Sequence, residues 1–202
     1  MEFIDSVVYI NLEHRQDRRV AIEQEFAKMG ITGAKRFNAI IHVHGLIGCM
    51  ESHLEVLKLA KKNKYKNILI FEDDFQFLVS KEELDSELRT VLSGKNPMPY
   101  DVLMLGYNIQ SAYIFTPNLL KVVSAQTASA YIVHESFYDK LIECYMNALP
   151  MLKTTKLWDM YANDQVWKVL QPRSKWYAFS KRIGRQRVSF SDTTGRIEDY
   201  GV

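Results

Sequence analysis

Cysteine is scarce: Cys49 and Cys144 are the only two among 202 residues. Two thiols exclude a disulfide-stapled small domain and a four-cysteine zinc site. Two reduced thiols in or near a core are expected instead. Long apolar runs are absent as well. The longest, such as 68–71 and 102–105, are strand-sized, far short of the ~20 residues that a membrane-spanning helix needs. Glu2 and Asp5 interrupt the first residues, so no signal peptide is expected and a cytoplasmic location is the expectation. There is no excess of one charge. Lys and Arg number 26 against 24 Asp and Glu, a net charge of +2. That balance gives no warrant for a nucleic-acid partner or a membrane surface. No Gly-rich, lysine-bearing phosphate loop precedes the first helical stretch, which argues against a P-loop type of nucleotidyl- or phosphotransferase.

What is present is globular: 47% hydrophobic and 25% charged residues, close to the average for folded domains. The length fits one domain, 1–202. Residues 7–12 read as a first strand. Ile22, Phe26 and Met29 then recur at helical spacing, with Gly30 placed to end the helix. A second strand is expected over 36–41. Met50, Leu54 and Leu57 stripe a helix that runs into the lysine-rich 61–66, where cations suit a helix C-terminus. Residues 68–71 form a buried type of strand that leads straight into Glu72-Asp73-Asp74. Ser80-Lys81-Glu82-Glu83 is a capping box. It opens a helix carrying Leu84, Leu88 and Val91, which Gly94, Pro97 and Pro99 stop. Further strands are expected over 100–106, 129–134 and 176–180. Helices are expected over 137–149, closed by Pro150, and over 164–170, ended by Pro172. The tail reads as irregular. Alternating strands and helices predict an α/β fold with a mostly parallel sheet, whose ligands bind beyond the carboxyl ends of the strands.

Glu72, Asp73 and Asp74 stand at such an end. Adjacent carboxylates repel, and a hard dication with oxygen ligands offsets the repulsion. Mg²⁺ or Mn²⁺ held this way commonly bridges a diphosphate. A solvated loop or a helix cap is the alternative. Asn11 and Arg15, just after the first strand, suit a uracil edge and a phosphate; Arg18 and Arg19 read as a solvated helix start. His53 is either a pocket residue or a packed, hydrogen-bonded one. Cys49 reads as small packing beside Gly48 rather than a nucleophile. His42 and His44 read as a surface pair. Trp158 is the candidate sugar platform, whereas Trp167 and Trp176 read as core. Gln186 lies in a tail with Arg182, Arg185 and Arg187, whose charge would favour a leaving diphosphate or would merely be solvated.

Several strings fall into a recognisable order. They are 8–12 (Val-Tyr-Ile-Asn-Leu) with Arg15, Asp17, Arg18 and Arg19; 37–40 (Phe-Asn-Ala-Ile); 48–53 (Gly-Cys-Met-Glu-Ser-His); 69–74 (Leu-Ile-Phe-Glu-Asp-Asp); 130–133 (Ala-Tyr-Ile-Val); 164–167 (Asp-Gln-Val-Trp); and 191–193 (Ser-Asp-Thr). In order and spacing the whole chain resembles glycosyltransferase family 25, the lipooligosaccharide and collagen galactosyltransferase-like proteins. It departs in a shortened stretch, 41–47, before the Gly-Cys motif, and in lacking a tail histidine of the collagen-modifying branch. The resemblance implies a GT-A-like fold and a metal-dependent inverting transfer. The implied donor is UDP-galactose or UDP-glucose, with N-acetylated sugars included, and the implied acceptor is a saccharide or a hydroxylysine-type protein. It implies Mn²⁺ or Mg²⁺ on Glu72, Asp73 and Asp74. Donor contacts would come from Asn11, Arg15, Ala39, Ser52, His53, Glu72, Asp73 and Gln186, and an acceptor contact from Trp158. Inversion needs a carboxylate base, for which Asp164 and Asp159 compete. Asp164 heads an expected short helix whose amides would fix it. A monomer or weak homodimer is expected. The alternative from another class is a nucleotide-sugar or glycan-binding module that keeps the fold without turnover.

Overall fold

Strands buried on both faces need cover on both, so their helices must divide between the two sides. The computed structural model describes residues 1–93, 97–191 and 195–199; Gly94, Asp192 and Thr193 lie outside them. In chain order the elements are β1 (Ser6–Asn11), α1 (Gln16–Lys28), β2 (Lys35–Asn38), α2 (Gly45–Lys62), β3 (Asn67–Glu72), β4 (Phe75–Phe77), α3 (Lys81–Leu92) and β5 (Val102–Met104). Then come β6 (Asn108–Thr116), β7 (Leu119–Gln126), β8 (Ala130–His134), α4 (Tyr138–Thr155), α5 (Trp158–Tyr161), α6 (Asn163–Val166), β9 (Trp176–Phe179), β10 (Gly184–Gln186), β11 (Ser189–Ser191) and β12 (Arg196–Glu198).

Eight strands form one sheet in the order β2-β1-β3-β8-β5-β9-β7-β6. Only β8 and β7 run against the other six, so the sheet is mixed and mostly parallel in direction. Alternation sorts its side chains. Val8, Ile10, Ile68, Ile70, Tyr131 and Val133 face α2 and α4, while Val7, Tyr9, Leu69, Phe71, Ala130 and Ile132 face α1 and α3. The helix ends follow local chemistry. Gly30 at φ +64 lets the Ile31 N–H reach the Phe26 carbonyl and the Gly30 N–H that of Ala27, the double bond of a Schellman stop. Ser80 and Glu83 cap α3 reciprocally.

Two expectations are corrected, and one hairpin appears where no element was expected. Helix α4 runs through Pro150 to Thr155. The carbonyl that proline leaves unbonded, one turn back at Met146, is on an exposed stretch of the helix, and buried Ala148 and Leu152 hold the turn. The stretch 108–126 is a hairpin, β6–β7, at the sheet edge. The tail is ordered by pairing: β10 lies antiparallel on β4, with Gln186 opposite Phe75. Gly184 permits this approach, since a Cβ there would lie 2.1 Å from the Phe75 ring. Among the described residues no helix is long and apolar enough to cross a membrane.

Candidate functional site

The site grows from two parallel neighbours. Ile10 of β1 pairs with Glu72 of β3, so the next residues, Asn11 and Asp73, emerge side by side. Asn11, only 1% exposed, donates from Nδ2 to Asp73 Oδ2 at 2.7 Å and accepts at Oδ1 from Arg36 Nε at 2.9 Å. Its carbonyl takes the Ala39 N–H at 3.0 Å. Asn11 and Ala39 thus lock the loop after β2 to the acidic turn.

Arg18 is the residue that the sequence reading missed. Its Nη1 donates to Asp73 Oδ1 at 2.9 Å and stands 3.4 Å from Asp74 Oδ2. Its Nη2 donates to Ser189 Oγ at 2.7 Å and to the Phe190 carbonyl at 2.9 Å. A signal was present: Arg18 lies one turn before Ile22 and two before Phe26, so it sits on the inward stripe of α1. Arg19 stays outside, paired with Glu23. Arg15 braces Asp17 and the Phe190 carbonyl, beside Arg18.

Asp73 and Asp74 are each 8% exposed. Burial raises the Asp73 pKa, opposed by Arg18 and Asn11. Asp74 is pushed up to about 7 by burial, with Glu72 adding repulsion and Arg18 opposing. Its carbonyl accepts the Arg187 N–H at 2.6 Å, yet its Oδ1 is buried without a hydrogen-bond partner among the described residues. Glu72 turns the other way. His53 Nε2 meets Glu72 Oε1 at 3.0 Å, His53 Nδ1 meets the Tyr131 hydroxyl at 2.8 Å, and Cys49 Sγ lies 3.7 Å from Glu72 Oε1. On the far side Gln186 Nε2 donates to Glu72 Oε2 at 3.4 Å, placed there by the β10–β4 pairing. The Cys49 thiol is held well above its ordinary pKa by burial, then by Glu72 and Asp164, which keeps it from acting as a free nucleophile.

Asp164 belongs to this group, but not as a helix cap. Ala162 occupies the N-cap of α6, and Asp164 Oδ2 instead accepts the Thr127 N–H at 2.9 Å, from the strand-end loop opposite. Burial raises its pKa, and Glu72 is among the charges that add to the rise. Ser52 is fully buried. It takes the Ile40 N–H at 2.8 Å and donates to the Gly48 carbonyl at 2.6 Å, so it fixes the entry to α2. Asp159 and Trp158 lie on the exposed face of α5, Trp158 at 59% exposure. Trp167 and Trp176 are buried, in edge contact with ring centroids 5.0 Å apart. His42 and His44 stack on each other in the loop before α2. Both cysteines are free thiols.

This architecture has a counterpart among solved structures. A glycosyltransferase involved in the glycosylation of the major capsid of PBCV-1 matches with a TM-score of 0.54 at 8% identity, over 92% of this chain and 93% of that one. The sheet with helices on both faces is a GT-A-like fold. A mannose-1-phosphate geranyltransferase from Thermus thermophilus follows at 0.47 and 10% identity, over 89% of this chain and 58% of that one. A glycosyltransferase from Streptococcus pneumoniae stands at 0.44 and 7%, over 87% and 45%. At such identities the likeness is one of fold alone. No protein-family model and no curated sequence matches the chain.

Proposed function

We propose that this chain is a divalent-cation-dependent, inverting glycosyltransferase of family 25. It moves a hexose, galactose or glucose with N-acetylated forms included, from a UDP-sugar to a saccharide or hydroxylysine-type acceptor. The observation that carries the reading is Asp74: a buried carboxylate with one oxygen unpartnered, at the carboxyl end of β3, in a fold shared with a glycosyltransferase. A buried, unsatisfied carboxylate oxygen is costly, and a hard cation is the ligand that removes the cost. Asp74 would hold Mn²⁺ or Mg²⁺ through its open Oδ1, while Glu72, bonded to His53 and Gln186, and Asp73, bonded to Asn11 and Arg18, steady the turn. A cation held there supplies positive charge against the donor diphosphate.

The chain's own residues account for the rest. Arg18, half-buried behind the acidic turn, limits its repulsion before donor arrives. Asp164 takes the proton of the acceptor hydroxyl: its raised pKa brings it nearer neutrality, where a base is most effective, and the Thr127 N–H aims it. Trp158 offers an exposed aromatic face to the apolar side of an acceptor sugar. The competing reading is a binding module with the same fold. A panel of UDP-sugars with Mn²⁺, followed by release of free nucleotide, separates the two. Release from at least one UDP-hexose supports the enzyme; UDP binding without release from any of them supports the module.

A further inference from the structure

Two potential ligands on the inner side of Glu72, together with Glu72 itself, have a different chemistry from Asp74. Cys49 and His53 stand one turn apart on α2, so their side chains share a face. Cys49 Sγ, a His53 ring nitrogen and a Glu72 oxygen all lie within 4.8 Å of one another. We infer that Cys49, His53 and Glu72 form a binding site for a borderline-soft dication of the Zn²⁺ class. The inference does not depend on glycosyl transfer.

The distances fit. Tetrahedral Zn²⁺ with ordinary bond lengths sets sulfur and carboxylate oxygen about 3.5 Å apart, and imidazole nitrogen and oxygen about 3.3 Å. The corresponding separations are 3.7 Å and 3.0 Å, a few tenths of an ångström away. Sulfur and imidazole favour Zn²⁺ over Mg²⁺ or Mn²⁺. The outer partner is in place as well. Tyr131 holds Nδ1 of His53 at 2.8 Å, which orients the ring as such partners do for metal-bound histidines. With the ion bound, Nδ1–H donates to the Tyr131 oxygen and Nε2 meets the metal. The Cys49 proton passes to solvent as the metal–sulfur bond forms. His53 is wholly buried whereas Cys49 and Glu72 are partly open. The ion therefore enters from the open side of Cys49 and Glu72 and keeps one coordination position facing that side. Three protein ligands and an open fourth position are the pattern of a reactive or regulatory zinc site rather than a closed structural one.

The test is optical and uses no sugar. Metal-free, reduced full-length chain is titrated with Co²⁺. The expected result is a thiolate-to-cobalt charge-transfer band with the strong visible bands of tetrahedral Co²⁺, both saturating at one equivalent and both displaced by Zn²⁺. Cys49→Ser should lose the charge-transfer band and bind Zn²⁺ at least about 100-fold more weakly, since it removes a ligand outright. Tyr131→Phe should weaken Zn²⁺ binding about 10-fold. If Cys49→Ser fails to fold, Cys144→Ser decides, because a charge-transfer band in that variant can come only from Cys49. A wild-type spectrum of octahedral Co²⁺ alone overturns the inference. So does a charge-transfer band that survives Cys49→Ser or vanishes in folded Cys144→Ser.

Discussion

Replacing Asp74 by Asn should make the metal-free protein more stable while abolishing its proposed activity. The magnitude follows from burial. Asp74 is pushed up to about 7 from 3.8, so the folded chain holds a proton that the unfolded chain has released. The sign follows. Below about pH 4 both states are protonated and the group imposes no penalty. Between about pH 4 and 7 the folded state loses ~1.4 kcal/mol of stability per pH unit, and above 7 the whole penalty, ~4 kcal/mol at most, is in force. Arg18, 3.4 Å from Oδ2, and local relaxation reduce it, so ~2–4 kcal/mol is the expected range. Asn keeps the shape and removes the charge. Urea melts in chelator, followed by circular dichroism, should show Asp74→Asn more stable than the wild type at pH 8, with the difference cut to ~1 kcal/mol or less at pH 4.5. Mn²⁺ should raise the wild-type midpoint at pH 8 and leave the variant where it was. A variant less stable than wild type at pH 8 in chelator would refute the reasoning, as would a difference independent of pH.

Asp164→Asn should fold and bind UDP as before while transfer falls at least about 100-fold, ~2.7 kcal/mol of transition-state stabilisation; unchanged turnover would move the base to Asp159 or elsewhere. Arg18→Met keeps the stem of the side chain but leaves two buried carboxylates facing each other. Thermal melts at pH 8 in chelator should report a loss of ~3 kcal/mol, partly recovered by Mn²⁺, and no loss would mean that Arg18 does not compensate the acidic turn. Gly48→Ala would place a Cβ 2.3 Å from the Ile40 carbonyl oxygen, so the loop before α2 must shift, at about 1–3 kcal/mol in urea melts. A neutral result would refute that close approach.

The first half of the fold was legible because its signals are local. Apolar runs buried on both faces, the inward stripe of α1 with its glycine stop, and the capping box at Ser80 each depend on residues within a turn or two. The β6–β7 hairpin was not legible. Tyr113, Ile114 and Phe115 are consecutive and exposed, and three register shifts break the period-2 pattern, so no alternation marks the strand. The tail escaped for another reason. β10 is a strand only because Gly184 fits over the Phe75 ring, a contact between residues remote in sequence. In the site, the acidic triplet and Asn11 could be read from the end of a strand. Arg18 was misread because a charge on an inward stripe looks solvated until its two aspartate partners are in view. The short-helix pattern makes Asp164 look like a helix cap, whereas its anchor is the Thr127 amide and Ala162 holds the cap position.

The central claim is that the carboxyl end of β3 holds a cation that makes the nucleotide site. Calorimetric titration of UDP into the wild type and Asp74→Asn, each with Mn²⁺ and with chelator, tests it most directly. The account predicts that Mn²⁺ tightens UDP binding to the wild type at least tenfold, ~1.4 kcal/mol, and has no such effect on Asp74→Asn. Equal UDP affinity in Mn²⁺ and chelator, or a Mn²⁺ effect retained by Asp74→Asn, would contradict it.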